Sequence, residues 1–192
     1  MDNIKVDRTT LVVFNSVCEG GLLLLATLWC FNSGVNLSDA LRPSLTAVLV
    51  GVAAGAVTAL SGFLSLFLTG KTDKESVFQK LRSLVYTQIA PLFVQLTLTD
   101  ILLIAASTGF CEEIFFRGIL QSEMGVLSAS ILFGMVHCAS LSMLPYAVWT
   151  FVAGVFLGYL YIWTGSLWAP ILAHAVNNFI VIAYFKFRKP LL

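Results

Sequence analysis

The chain has 192 residues, of which 58% are apolar and 11% charged, with a formal net charge of +1. Soluble domains carry about 45–50% apolar residues even with glycine included, and about 25% charged. A soluble chain of this size lacks the polar surface to cover so much hydrocarbon. The composition therefore excludes an ordinary soluble domain and a disordered chain, and a charge this small sets up no field to gather nucleic acid.

An all-α, polytopic membrane bundle of about six transmembrane helices follows, since a span needs about 20 mostly apolar residues. The first runs from about Thr10 to Phe31 and is too long for a signal-peptide core. The second runs from about Ser44 to Thr69, with Gly51 and Gly55 at a spacing that lets a neighbouring helix approach closely. The polar stretch from Lys71 to Arg82 reads as an interfacial amphipathic helix. The third apolar run starts near Pro91, reaches Gly109 and continues as helix to about Gln121. The fourth spans about Gly125 to Ser140, and the fifth about Pro145 to Thr164, with Gly154 and Gly158 again at close-packing spacing. The sixth runs from about Leu167 to Phe185, with Ser166 as N-cap and Pro170 in the first turn. Residues 1–192 read as a single membrane domain without repeats or linkers.

With six spans, nine of the Lys and Arg residues fall on one side and two on the other. Lys5, Arg8, Lys71, Lys74, Lys80, Arg82, Lys186, Arg188 and Lys189 make up the rich side, so both termini are expected in the cytoplasm. Cys18, Cys30, Cys111 and Cys138 lie in or beside apolar runs, without metal-ligand spacing, and read as packed free thiols.

Ionisable residues inside hydrocarbon are costly and mark function. Here they are Glu19, Asp100, Glu112, Glu113, Arg117, His137 and His174, with Asn178 beside them. Glu113 and Arg117 stand four apart on one helix face, acid first, the favourable order for an ion pair. Glu112 is turned about 100° away and has no local cation, so it is the carboxylate free for chemistry. His174 and Asn178, also four apart, present an imidazole and an amide to one space. Counted from helix ends on the same side, Glu112, His137, His174 and Asn178 lie roughly 12–18 Å deep. One polar layer from three helices suits a hydrolase that uses water as nucleophile. Glu112 acts as general base, His137 shares or positions the water, and His174 and Asn178 donate to the oxyanion. Glu112, His137 and His174 are also candidate zinc ligands, but using all three on metal leaves no evident base, which favours a metal-free site. A structural polar cluster without chemistry is the plain alternative.

The three motifs that hold these residues resemble those of the CPBP intramembrane proteases, also called the Abi or CAAX prenyl protease type 2 family. E-E-x-x-x-R followed by glycine reads Glu112 to Gly118, F-x-x-x-H reads Phe133 to His137, and H-x-x-x-N reads His174 to Asn178. The resemblance covers about Ala90 to Tyr184, which marks residues 90–184 as the catalytic core. It implies a glutamate-dependent membrane endopeptidase acting on membrane-associated or lipidated substrates. Glu112 would activate water with His137, His174 and Asn178 would stabilise the oxyanion, and Glu113 and Arg117 would support the site. The family has often been labelled metalloprotease, so zinc on Glu112, His137 and His174 stands as the metal-dependent version. The expected partners are a peptide or protein substrate and the lipid bilayer, with no nucleic acid. The expected place is a bacterial plasma membrane.

Two other classes compete. A bacteriocin-immunity or membrane scaffold protein would not need Glu112. A proton-coupled transporter would depend on Glu19 or Asp100 instead, although no inverted repeat is evident. The charge count sets the active layer nearest the non-cytoplasmic end, whereas CAAX proteases act on cytosolic tails, so prenyl-protein processing is left unassigned.

Overall fold

The computed structural model describes residues 6–69 and 76–188. Lys5, Lys71, Lys74 and Lys189 of the charge count lie outside the described residues, as does the start of the expected amphipathic stretch. All regular structure among the described residues is helical: α1 (Arg8–Ser33), α2 (Leu45–Thr69), α3 (Val77–Leu84), α4 (Ala90–Phe93), α5 (Leu98–Glu113), α6 (Gln121–Val136), α7 (Leu144–Thr164) and α8 (Trp168–Phe187). Wider π-helical turns join α3 to α4 (Val85–Ile89) and α5 to α6 (Ile114–Leu120), and a short 3-10 turn (Leu141–Met143) leads into α7. Five segments are long and apolar enough to cross a bilayer: Arg8–Ser33, Leu45–Leu68, Leu98–Val136, Leu141–Thr164 and Trp168–Phe187.

The third of these is 39 residues long and does not run straight. Gly125 breaks it at φ 81° and ψ 168°, a backbone that a Cβ would strain. Beyond the break the chain folds back, so that the Phe116 and Phe133 rings lie 5.0 Å apart. A straight helix would separate residues 17 apart by roughly 25 Å. The expected third and fourth runs are therefore two antiparallel limbs, but the returning limb stops at Val136 instead of Ser140. From Gly125 it rises only about 16 Å, half the hydrocarbon thickness, so it is not a full span. His137 caps its end.

The contacts fix the direction of every limb. Arg8 meets Asp100 and Asn15 meets Ser107, so α1 and α5 run parallel. Gly51 faces Ala169 and Gly55 faces Ala173, so α2 and α8 run parallel. Thr108 meets Asn178 and Glu113 meets His174, so α5 and α8 are antiparallel. Gln95 donates to the Val6 carbonyl, and Lys186 to the Val94 carbonyl, which gathers both ends of the described chain at one end of the bundle. At the opposite end, Leu167 and Trp168 donate to the carbonyls of Ala40 and Leu41.

Glycine sets the tightest packing, as the spacing predicts. A Cβ on Gly51 would lie 2.6 Å from the Ala169 carbonyl oxygen, and one on Gly55 2.5 Å from that of Ala173. In lipid, where apolar burial drives little helix association, such close backbone contact is a main source of cohesion.

Four local expectations are corrected. The third span starts at Leu98, not near Pro91, because Thr97 and Asp100 form a reciprocal capping box there. Asp100 accordingly lies at a helix start, where Arg8 holds it through two bonds of 2.6 and 2.8 Å. Ser166 stands one position before the α8 cap, and its hydroxyl accepts from Trp168 N at 3.3 Å. All four cysteines are free, but only Cys111 is fully buried, and Cys18 is exposed on the outer side of α1.

Candidate active site

Glu112, His137, His174 and Asn178 line one cavity of about 320 Å³, together with Thr108, Phe133, Tyr146 and Asn177. The cavity also reaches Leu66, Val85, Phe93 and Phe185, beside the end of the bundle where the described chain begins and finishes. The site thus sits at the inner end of a pocket that runs toward the termini. Of the nine cations on the rich side of the count, Arg8, Arg82, Lys186 and Arg188 cluster toward this end, and Arg42 stands at the other.

Each side chain is held by its neighbours. Arg117 and Glu113 are essentially without exposure and pair at 3.0 Å, as their spacing predicts. The same Glu113 Oε1 also accepts from His174 Nδ1 at 2.8 Å, a partner that the spacing does not reveal. Arg117 Nη2 donates to the Gly154 carbonyl at 3.1 Å, and Gln121 Nε2 to the Gly158 carbonyl at 3.1 Å. Glycine at both positions keeps a Cβ off those side chains, 3.2 Å from Arg117 Nη2 and 2.7 Å from Gln121 Oε1. The guanidinium also lies 4.5 Å over the centre of the Phe133 ring, so the buried charge is enclosed by an acid, a carbonyl and an aromatic face.

With Nδ1 committed to Glu113, His174 turns Nε2 toward Glu112 Oε2 at 4.0 Å. That oxygen is buried and accepts no hydrogen bond from the protein. His137 Nδ1 lies 2.7 Å from the Phe133 carbonyl, which can only accept, so Nδ1 carries the hydrogen and Nε2 is left as an acceptor.

Asn178 donates to Thr108 Oγ1 at 2.9 Å and accepts from Asn177 at 3.3 Å, which fixes its amide and leaves one N–H unused. Thr108 passes its own hydrogen to the Ile104 carbonyl at 2.9 Å. Thr108 and Asn177 are cavity-lining neighbours of Asn178 to which the motifs assign no part. The sequence signal for Thr108 was its place one turn before Glu112 on the same face.

Among the described residues, no three His, Cys, Asp or Glu side chains group as ligands of one ion. His174 and His137 each direct Nδ1 to an acceptor of the fold, and His174 Nε2 lies 4.0 Å from Glu112 Oε2.

Residues 94–180 match the family described as type II CAAX prenyl endopeptidase Rce1-like, and all three motifs fall inside that stretch. The uncharacterized protein YpbD of Bacillus subtilis (strain 168) is 29% identical over 97 residues, which is 50% of this chain. The matched stretch spans 51%, about half, of that relative's length. No solved structure matches the chain. The match covers residues 94–180, a little under half of the chain, and shows similarity to Rce1-like type II CAAX prenyl endopeptidases over the stretch that carries the three motifs. Five apolar segments long enough to cross a bilayer support an integral membrane protein.

Proposed function

We propose that the protein is an intramembrane endopeptidase that cleaves peptide bonds of membrane-associated or lipidated substrates, with water activated by Glu112 as nucleophile. The observation that carries this reading is the unpartnered, buried Glu112 Oε2, 4.0 Å from His174 Nε2, on two residues that line one apolar cavity. Glu112 takes a proton from the water while His137 Nε2 accepts the other hydrogen and holds the oxygen in line. The oxygen attacks the scissile carbonyl carbon, and the carbonyl becomes an oxyanion. With Nδ1–H on Glu113, an imidazolium His174 donates from Nε2, and Asn178 donates its remaining N–H. The intermediate collapses as Glu112 returns its proton to the leaving amine nitrogen. No step is routed through a metal.

The cavity favours a substrate that enters from the end bearing the termini, and the cations at that end support a cytoplasmic placement. In this reading the layer lies deep and its access runs toward the cytoplasm. A bacterial plasma membrane is the proposed location.

The test compares peptide termini in host membranes carrying the wild type or Glu112→Gln, with and without a zinc chelator. Termini that depend on Glu112 and persist in chelator support the reading. Loss in chelator would establish the metal-dependent version. Identical profiles from two well-expressed proteins would favour an immunity or scaffold role.

A further inference from the structure

The end of the bundle that gathers the termini carries a second cluster, which the hydrolytic site does not use. Tyr86, in the π-helical turn after α3, draws in two arginines: the Arg82 guanidinium lies 5.4 Å and that of Arg188 5.6 Å from the centre of its ring. Arg188 also lies 5.3 Å from the centre of the Tyr184 ring. Both arginines are half-buried. Cations brought so close repel, and partly buried ones normally take a carboxylate. Among the described residues neither pairs with an acid, and Asp100 at this end is taken by Arg8.

The hydrogen bonds are equally one-sided. Arg188 Nη1 donates to Tyr86 Oη at 2.8 Å and to Tyr184 Oη, which uses both its hydrogens. The Nε–Nη2 edge is left without a partner among the described residues. Through that same edge Arg8 grips both oxygens of Asp100, at 2.6 and 2.8 Å. The Arg82 guanidinium has the Tyr86 face and, among the described residues, no acceptor. Each tyrosine hydroxyl accepts from Arg188 and keeps its own hydrogen to give. The cluster is all donors. A phosphate, with several oxygens on one centre, suits it: bidentate on the fork of Arg188, with Arg82 as the second charge. The level of the cluster favours a lipid as the source. Arg188 directly follows Phe187, the last residue of a crossing segment. Arg82 lies on α3, which buries Leu81 and Leu84 and turns Val77 and Phe78 outward, as a helix at the membrane surface does. Arginine and tyrosine at that level meet headgroups. The cluster also backs on the cavity: Tyr86 meets Phe185 edge-on at 5.5 Å, and Val85 and Phe185 are lining residues.

We propose that Arg82 and Arg188, braced by Tyr86 and Tyr184, form a seat for the phosphate of an anionic membrane lipid at the mouth of the cavity. A headgroup there ties α3 to the end of α8 and so fastens two walls of the entrance. The seat does not require that the inner site hydrolyse anything.

The test uses the full chain in detergent, with phosphatidylglycerol and phosphatidylcholine of the same acyl chains as probes, and reads retained lipid by native mass spectrometry. The wild type should hold one phosphatidylglycerol about tenfold more tightly than phosphatidylcholine. Arg82→Gln and Arg188→Gln should each weaken phosphatidylglycerol about fivefold, the effect of one interfacial charge, and leave phosphatidylcholine unchanged. Arg188→Lys keeps the charge but loses the fork, so it should recover only part of that loss. Arg42→Gln, at the other end of the bundle, should bind as the wild type does. Thermal unfolding without added lipid checks that each variant is folded, and the wild-type preference needs no variant. Equal affinity for the two lipids would overturn the proposal, as would a folded double variant that holds phosphatidylglycerol like the wild type. Displacement of the lipid by an equal concentration of inorganic phosphate would also overturn it, and would assign the cluster to a soluble anion.

Discussion

Glu113 and His174 are joined at 2.8 Å from Oε1 to Nδ1, and the same oxygen takes Arg117 at 3.0 Å. One carboxylate therefore locks a buried cation and orients an imidazole. The two expected pairs, one within each helix, are fused into a single unit that ties α5 to α8.

Glu113→Gln should therefore lose fold and function together. It leaves a fully buried guanidinium without its acid, a change of the kind that costs about 3–5 kcal/mol. Thermal unfolding in detergent measures this, and a variant that melts like the wild type would remove the ion pair from the account.

Glu112→Gln should separate the two. The side chain makes no hydrogen bond through Oε2, so its replacement by an isostere leaves the melting temperature nearly unchanged. Loss of a general base lowers kcat by about 100-fold to 10,000-fold. Single-turnover cleavage of a substrate found by the terminal-peptide comparison is the check.

Thr108→Val keeps the volume but removes the acceptor that holds Asn178 at 2.9 Å. A freed amide wastes part of its donation to the oxyanion. A hydrogen bond contributes roughly 0.5–1.5 kcal/mol, so kcat should fall up to about tenfold with little change in KM. An equal rise in KM would instead assign Thr108 to substrate binding.

Gly55→Ala puts a methyl 2.5 Å from the Ala173 carbonyl oxygen, a backbone atom that cannot step aside alone. The helix carrying His174 and Asn178 should shift, and both stability and cleavage should drop. Gly21→Ala, with nothing within 4 Å of the new carbon, is the matched control and should behave as wild type.

Asp100→Ala tests the transporter alternative. Asp100 caps α5 and pairs with Arg8, so the variant should lose stability while folded protein retains its cleavage rate. A specific loss of proton flux, with stability intact, would favour transport.

Much of this site was legible because its elements are local. Glu113 and Arg117, or His174 and Asn178, share a face by helical period alone, and counting residues from a helix end locates a side chain in depth. His137 reached the common layer for a reason the count only half contained: its limb is short. The bond from Glu113 to His174 was not legible, since it depends on which faces of α5 and α8 meet. Asp100 was misread for a similar reason. Its apolar neighbours suggested a place within the hydrocarbon, while the Thr97 capping box sets it in the first turn of α5. The exposure of Cys18 shows the same limit, because an apolar run does not say which of its residues turn outward.

The early end of the limb after Gly125 has a consequence for how such a molecule could be disabled. The limb ends at His137, at the inner end of the cavity. Roughly nine more residues of helix would complete the crossing. Those residues would press their own side chains into the chamber and plug it. The workplace of this protein is the room left by a helix that stops halfway, and an insertion after His137 that lets it continue would close that room without touching any of the groups that line it.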